Sequence, residues 1–251
     1  MPALLLAMFS LAGCVPEGPS LSEPLPVGKL AGGTGPAAQT TEAVMAPGSA
    51  PMTILALGDS YTIGESVSEE ERWPVQLAAA LQAQGLPVAG PVIVARTGWT
   101  TDELLAGIEQ AGLSGTFDLV TLLIGVNNQY RGREIEEYRA GFRALLEQAQ
   151  GFAGGRPEQV LVLSIPDWGV TPFAAGRDRA EIARQIDLFN RVNRQESEAA
   201  GIPYLDITPV SRQAANDPGL LAPDGLHPSG LMYAEWARLA LPAALQALQG
   251  H

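Results

Sequence analysis

Residues 53–60 read TILALGDS, an apolar run that stops at a glycine, an aspartate and a serine. A short, continuous run of aliphatic residues bounded by turn residues is typical of a strand that is buried on both faces. Glycine and aspartate at the end of such a run favour a tight turn. The pattern therefore predicts a buried strand over residues 53–57, with the Ser60 hydroxyl in the turn that leaves its carboxyl end.

The chain beyond this strand alternates short apolar runs with longer amphipathic stretches. Such alternation is typical of a parallel sheet covered by helices on both faces, with right-handed crossovers. We therefore predict an α/β fold, a three-layer α/β/α sandwich with a mainly parallel five-stranded sheet. Ligands bind outside the carboxyl ends of the strands in such open sheets. The remaining strands are predicted over 92–95, 119–124, 160–164 and 203–206, and the helices over 69–84, 101–111, 134–150, 179–200 and 229–248.

The chain has two histidines, His227 and the C-terminal His251. His227 lies three residues after Asp224, in the sequence DGLH. A histidine-dependent reaction would use His227 as its base, with Asp224 to fix the tautomer and stabilise the charged form. A serine hydroxyl is a poor nucleophile at neutral pH unless such a base lies within hydrogen-bond reach. Ser60, His227 and Asp224 thus supply the parts of a nucleophilic site.

Two further candidates, Gly98 and Asn127, also follow predicted strands. Glycine lets a backbone N–H approach a ligand closely, and an asparagine amide is a neutral donor that does not compete for the histidine proton. Both suit the negative charge that develops on a carbonyl oxygen during acyl transfer. Taken singly, Ser60 would more commonly cap a helix, and the other candidates would hold turns or lie at the surface. Together they favour the functional interpretation, whereas Asp59 is given no catalytic role.

Four blocks of the sequence resemble the marker blocks of the SGNH, or GDSL-type, hydrolases. The blocks are residues 58–60 (GDS), 96–100 (RTGWT), 125–128 (GVNN) and 224–227 (DGLH), and they occur in the order found in that family. The resemblance extends over about residues 53–247. One difference is Asn128, which stands where many family members have an aspartate.

The resemblance implies a flavodoxin-like sandwich and a bacterial esterase similar to lysophospholipases. It implies that Ser60 is the nucleophile and that His227 and Asp224 complete a triad. By the same resemblance, the oxyanion receives hydrogen bonds from the Ser60 backbone N–H, Gly98 and Asn127. No cofactor is part of this mechanism.

The first residues resemble a bacterial lipoprotein leader. Residues 1–13 are apolar, carry no charged side chain and end at LAG before Cys14, which is similar to a lipobox. Cys14 is the only cysteine, so we expect it to carry a lipid rather than form an internal disulfide. An ordinary secretory leader or a free thiol are the alternatives. Residues 14–51 are rich in Pro, Gly and Ala and predict a flexible tether, followed by the hydrolase domain over 52–251.

The net charge of the chain limits the partners that it can bind and the way in which it can contact a membrane. A formal net charge of −12 opposes binding to nucleic acid and docking on anionic lipid. We therefore expect membrane contact only through a lipid on Cys14, in an exported protein of the bacterial cell envelope, at the periplasm-facing outer membrane or the cell surface. The acidic residues 65–71 have no nearby His or Cys partners, so no metal is expected. We expect a monomer that acts on a small-molecule, lipid or carbohydrate ester.

The segment after the fourth predicted strand carries two aromatic residues, Trp168 and Phe173. With Trp99 they could form an apolar wall for an acyl or alcohol group, although packing of the loop against the domain explains them equally well. The sequence thus predicts a serine esterase whose activity falls as His227 becomes protonated. The same residues could instead serve an acyltransferase or a carbohydrate deacetylase. A noncatalytic envelope lipoprotein that binds a ligand in this pocket is the alternative from another class.

Overall fold

The computed structural model describes residues 50–250. The predicted signal peptide over residues 1–13, the lipidation site Cys14 and the predicted tether up to residue 49 lie outside the described residues.

The described part of the chain contains a five-stranded parallel sheet with the strand order β2-β1-β3-β4-β5. This arrangement confirms the predicted α/β/α sandwich. The order reverses between β1 and β3, and a crevice opens at such a switch point outside the carboxyl ends of the two strands. The strands are β1 (Ile54–Gly58), β2 (Val92–Ala95), β3 (Leu119–Leu123), β4 (Val160–Leu163) and β5 (Tyr204–Leu205).

Helices cover both faces of the sheet, and every residue of β1 and β3 is buried. In chain order the helices are α1 (Ser60–Ile63), α2 (Trp73–Ala83), α3 (Thr101–Ala111), α4 (Val126–Tyr130), α5 (Ile135–Phe152), α6 (Arg179–Ala199), α7 (Thr208–Arg212) and α8 (Gly230–Gln249). α2 packs against α8, whereas α5 packs against both α3 and α6. In the described residues, no helix combines the length and the apolar character that crossing a membrane requires.

The predicted helix over residues 69–84 differs from the structure at its start. Residues Glu69–Glu71 form a separate 3-10 turn, Arg72 is extended, and α2 begins at Trp73. Pro74 explains the break, because proline lacks an N–H and is tolerated in a helix only within the first turn. The other four predicted helices agree with α3, α5, α6 and α8 to within two residues at each end.

Candidate active site

The loop before α8 brings Asp224 and His227 together. Ala222 N donates to His227 O at 2.8 Å, and Leu221 bridges to Pro228, so the two ends of the loop are tied. Asp224 Oδ1 accepts hydrogen bonds from the backbone N–H groups of Leu226, at 2.9 Å, and His227, at 3.0 Å. The second carboxylate oxygen, Oδ2, lies 2.7 Å from His227 Nδ1. The turn therefore holds the carboxylate and the imidazole in one fixed arrangement.

The Asp224 carboxyl is strongly acidic in this setting. Its partial burial raises the pKa, but hydrogen bonds from Ser66, from the His227 ring and from two backbone N–H groups outweigh that effect and hold the pKa well below its usual range. An ionised carboxylate only accepts hydrogen bonds, so the proton of the neutral imidazole resides on Nδ1. His227 Nε2 is consequently left with a lone pair that can accept a proton.

Ser60 begins α1, immediately after β1. The side chain of Asp59 caps this helix by accepting from Tyr61 N at 3.0 Å. Gly58 is required just before the turn, since an added Cβ would lie 2.1 Å from Thr62 Oγ1 and 2.5 Å from Leu123 O. The helix thus starts close against the neighbouring strand β3, with Ser60 4% exposed at the carboxyl end of β1.

Asp59, next to this serine, is fully buried. Burial raises the pKa of Asp59 to about 7, against the opposing effect of the hydrogen bond from the Tyr61 backbone. The carboxyl group thus changes charge within the range of ordinary assay pH, directly beside Ser60. Its Oδ2 lies 3.5 Å from Asn127 Nδ2.

Gly98 and Asn127 approach the same place from the ends of β2 and β3. Gly98 has a φ of 87°, a left-handed conformation that favours glycine, and its carbonyl accepts from Arg131 Nη2 at 2.5 Å. Asn127 lies in the first turn of α4, and its Nδ2 donates to Trp99 O at 2.9 Å. This bond fixes the orientation of the amide and leaves its second N–H for Asp59 or a ligand.

Asn128 has a structural environment. It is 1% exposed, its Oδ1 accepts from Thr101 N at 3.1 Å, and its Nδ2 donates to Thr101 Oγ1 at 3.0 Å. The amide therefore ties α4 to the first residue of α3. An aspartate could accept from the same backbone N–H, but it has no N–H to donate to the threonine hydroxyl.

A pocket of about 150 Å³ opens where these elements meet. The residues that line it come from the ends of several strands and from the loop before α8. They include every predicted catalytic and oxyanion-hole residue except Asp224, and they also include an aromatic wall. The lining residues are Ser60, Tyr61, Thr97, Gly98, Val126, Asn127, Tyr130, Trp168, Phe173, Leu226 and His227. Asp224 contacts this pocket through its bond to His227.

The aromatic wall consists of Tyr130, Trp168 and Phe173. The ring centroid of Trp168 lies 5.3 Å from that of Tyr130 and 5.9 Å from that of Phe173, and both pairs pack edge to face. Trp168 Nε1 donates to Gln129 Oε1 at 2.8 Å, which satisfies the buried indole. Tyr130 was not a sequence candidate, because α4 is only five residues long and shows no helical periodicity.

Trp99, the third predicted wall residue, is placed differently. Its indole packs on α3, where a Cβ added to Gly107 would lie 2.1 Å from Trp99 Cη2. The glycine at position 107 therefore makes room for the ring. Trp99 contributes to the site through its backbone carbonyl, which accepts from Asn127. Among residues 50–250, no group of three or more His, Cys, Asp or Glu side chains is arranged to hold a metal ion.

The described part of the sequence matches a known protein family over most of its length. The GDSL-like Lipase/Acylhydrolase family matches residues 56–235, which is more than half of the chain. The chain belongs to this family and is a hydrolase that acts on ester bonds. No curated protein sequence matches it.

Several solved structures share the fold at low sequence identity. TesA has a TM-score of 0.60 and 20% identity, over 78% of this chain and 99% of its own. The psychrotrophic esterase EstA from Pseudoalteromonas sp. has a TM-score of 0.56 and 19% identity, over 79% of this chain and 99% of its own. Axe2, an acetylxylan esterase from Geobacillus stearothermophilus, has a TM-score of 0.56 and 21% identity, over 78% and 94%.

Proposed function

We propose that this protein is a serine esterase that hydrolyses carboxylic esters through an acyl-enzyme. The observation that carries the proposal is the 2.7 Å contact between His227 Nδ1 and Asp224 Oδ2, in a loop whose histidine lines the same pocket as Ser60. Independent turn residues have no reason to converge on one pocket as nucleophile, base and orienting acid.

In the first half-reaction, Ser60 Oγ attacks the ester carbonyl carbon while its proton passes to His227 Nε2. The carbonyl oxygen becomes an oxyanion, which the Ser60 and Gly98 backbone N–H groups and Asn127 Nδ2 stabilise. Asp224 stays ionised and stabilises the imidazolium. The tetrahedral intermediate then collapses, the C–O bond to the alcohol breaks, and the alcohol leaves with the proton from His227.

In the second half-reaction, water attacks the acyl group on Ser60 while His227 Nε2 accepts the proton of the water. Collapse of the second intermediate returns that proton to Ser60 Oγ and releases the carboxylic acid. The reaction balances with no cofactor or metal, since one water is consumed and one acid and one alcohol are formed.

The size of the pocket supports a short acyl chain. Sites for drug-sized ligands typically have volumes of about 300 Å³ or more, whereas this pocket has about 150 Å³. The wall of Tyr130, Trp168 and Phe173 is suited to apolar contact with such a chain. Deacetylation of a carbohydrate is the second candidate, favoured by this small volume and by the similar fold of the acetylxylan esterase Axe2.

The test is steady-state hydrolysis of p-nitrophenyl esters with acyl chains from acetate to palmitate. We expect Ser60-dependent turnover that is highest for the shortest chains. The Ser60→Ala and His227→Ala variants should lose this turnover. The matched control is His251→Ala, which replaces the only other histidine and should keep the turnover. Retention of full turnover by Ser60→Ala would reject the proposal.

Two further assays distinguish the related activities. Acetylated xylo-oligosaccharides test for carbohydrate deacetylation, and product analysis with an added sugar acceptor separates transfer from hydrolysis. A binding-only lipoprotein predicts no turnover with any of these esters, although it would bind them.

We also propose that the protein is exported and anchored in the cell envelope by a lipid on Cys14. The apolar residues 1–13 and the single cysteine support this location. Cell fractionation of the full-length chain tests it: Cys14→Ala should move the protein out of the membrane fraction. An unchanged distribution would contradict a lipid anchor at this position.

A further inference from the structure

Ser66 has an unusual backbone conformation. Within residues 50–250 it is the only non-glycine residue with a positive φ, at 67°. Residues other than glycine are disfavoured in this left-handed region, and such a conformation persists only where the surrounding structure imposes it. The conformation therefore requires an explanation from the contacts that Ser66 makes.

The Ser66 hydroxyl contacts the carboxylate of the Asp–His pair. Ser66 Oγ donates to Asp224 Oδ2 at 2.7 Å, and His227 Nδ1 lies at the same distance from the same oxygen. The other oxygen, Oδ1, is occupied by two backbone N–H groups of the Asp224 turn itself. Ser66 is thus the one donor to this carboxylate, among the described residues, that comes from outside the 224–227 turn.

The segment that carries Ser66 also connects to the serine and to the glycine loop. The backbone N–H groups of Gly64 and Glu65 both donate to Ser60 O, at 3.1 and 3.0 Å. The Glu65 carboxylate accepts a hydrogen bond from Thr97 Oγ1, next to Gly98. Residues 64–66 therefore touch all three parts of the site, and the left-handed backbone at Ser66 turns its hydroxyl towards Asp224.

We propose that Ser66 is a positioning residue that holds the Asp224 carboxylate in register with His227 and couples it to the helix of the nucleophile. This inference rests on the proposed function, because it assigns Ser66 a role in the same reaction. Ser66 does not line the pocket, so its role is to position Asp224 rather than to take part in the chemistry. Its hydroxyl adds a donor from a second segment to the Oδ2 atom that faces His227, and it withdraws negative charge from that oxygen.

The test compares Ser66→Ala and Ser66→Gly in the full chain, with p-nitrophenyl acetate as substrate. Both variants lose the hydroxyl, whereas only glycine also relieves the left-handed backbone. We expect kcat to fall about tenfold in both, with KM changed less than about twofold, because the lost hydrogen bond is to a charged group but is partly exposed to water. Ser66→Gly should melt at a temperature no lower than that of Ser66→Ala.

The pH profile provides a readout that a purely structural role would not change. Without the Ser66 donor, Asp224 Oδ2 carries more negative charge and stabilises the protonated imidazole more strongly. The acid limb of kcat/KM should therefore move to higher pH in both variants. The matched control is Ser68→Ala in the same loop. The Ser68 backbone N–H donates to Glu71 Oε2 at 3.1 Å, a hydrogen bond that does not involve Asp224. The kcat and the pH profile of this variant should equal those of the parent.

Parent-like kcat and pH profile in a folded Ser66→Ala or Ser66→Gly enzyme would overturn the inference and leave the proposed function intact. Recovery of kcat by Ser66→Gly alone would also overturn it, since relief of backbone strain rather than the hydroxyl would then control the rate. Absence of Ser60-dependent turnover in the parent would reject the proposed function itself. The two failures are thereby distinguishable.

Discussion

Replacing Asp224 with asparagine tests the role of the carboxylate without disturbing the turn. Oδ1 of Asp224 accepts from two backbone N–H groups, at 2.9 and 3.0 Å, so the amide oxygen of an asparagine must take this position. The amide NH2 then takes the position of Oδ2, which lies 2.7 Å from His227 Nδ1. Because the NH2 group only donates, Nδ1 must become an acceptor and the ring proton must move to Nε2. His227 then has no lone pair to accept the proton of Ser60.

The expected loss follows from this change of tautomer. A base held in the wrong tautomer costs a serine enzyme about 10³- to 10⁴-fold in kcat, which corresponds to roughly 4 to 5.5 kcal/mol in the barrier. KM should change little, because Asp224 does not line the pocket. The two backbone hydrogen bonds are kept, so the variant should remain folded.

The assay is hydrolysis of p-nitrophenyl acetate at pH 7.5 or a similar mild pH, with the melting temperature measured on the same samples. Asp217→Asn is the matched control, since Asp217 also accepts a backbone N–H two residues on, from Gly219 at 3.0 Å, but lies outside the pocket. It should retain the parent kcat. A folded Asp224→Asn enzyme within about tenfold of the parent would refute the reasoning about the tautomer.

Two other predictions concern the neighbours of the serine. Asn127→Ala should lower kcat by about 100-fold or more with little change in KM, because one oxyanion donor is removed, and a loss confined to KM would contradict this. The pKa of Asp59 is about 7 in the folded protein, against the usual value of 3.8. Between these two values the folded state keeps a proton that the unfolded chain releases. The contribution of Asp59 to the free energy of unfolding therefore falls as the pH rises from about 4 to 7. Urea unfolding should show a decline in the parent, of the order of 4 kcal/mol, that is absent from Asp59→Asn; equal pH dependence in both would contradict the assignment.

The strands could be predicted because each contains a short apolar run, and β1, β3 and β4 are buried along their whole length. β5 is shorter than its predicted range, since only Tyr204 and Leu205 pair with β4 at the edge of the sheet. Short helices such as α1, α4 and α7 could not be predicted, because four or five residues show no helical period. Their positions depend on tertiary contacts, such as the close approach of Gly58 to β3.

The site was predictable where a residue type itself indicates chemistry, as for His227 and its acidic neighbour Asp224. Contacts between distant segments were not predictable. Ser66 lies in an acidic loop whose sequence predicts a solvated surface, and its hydrogen bond to Asp224 forms only when the chain folds. The orientation of the Trp99 side chain could not be predicted either, because it depends on the space that Gly107 leaves for the ring on α3.

The most direct test of an activated serine is intact-mass spectrometry of the full chain after incubation with a fluorophosphonate ester. Attack by Ser60 Oγ forms an O–P bond and releases fluoride, and it requires the same base as ester hydrolysis. We predict a single adduct on the parent and on His251→Ala, mapped to Ser60, with no adduct on Ser60→Ala and strongly slowed labelling of His227→Ala. A folded parent that stays unmodified, or a Ser60→Ala variant that is labelled like the parent, would contradict the proposed nucleophile.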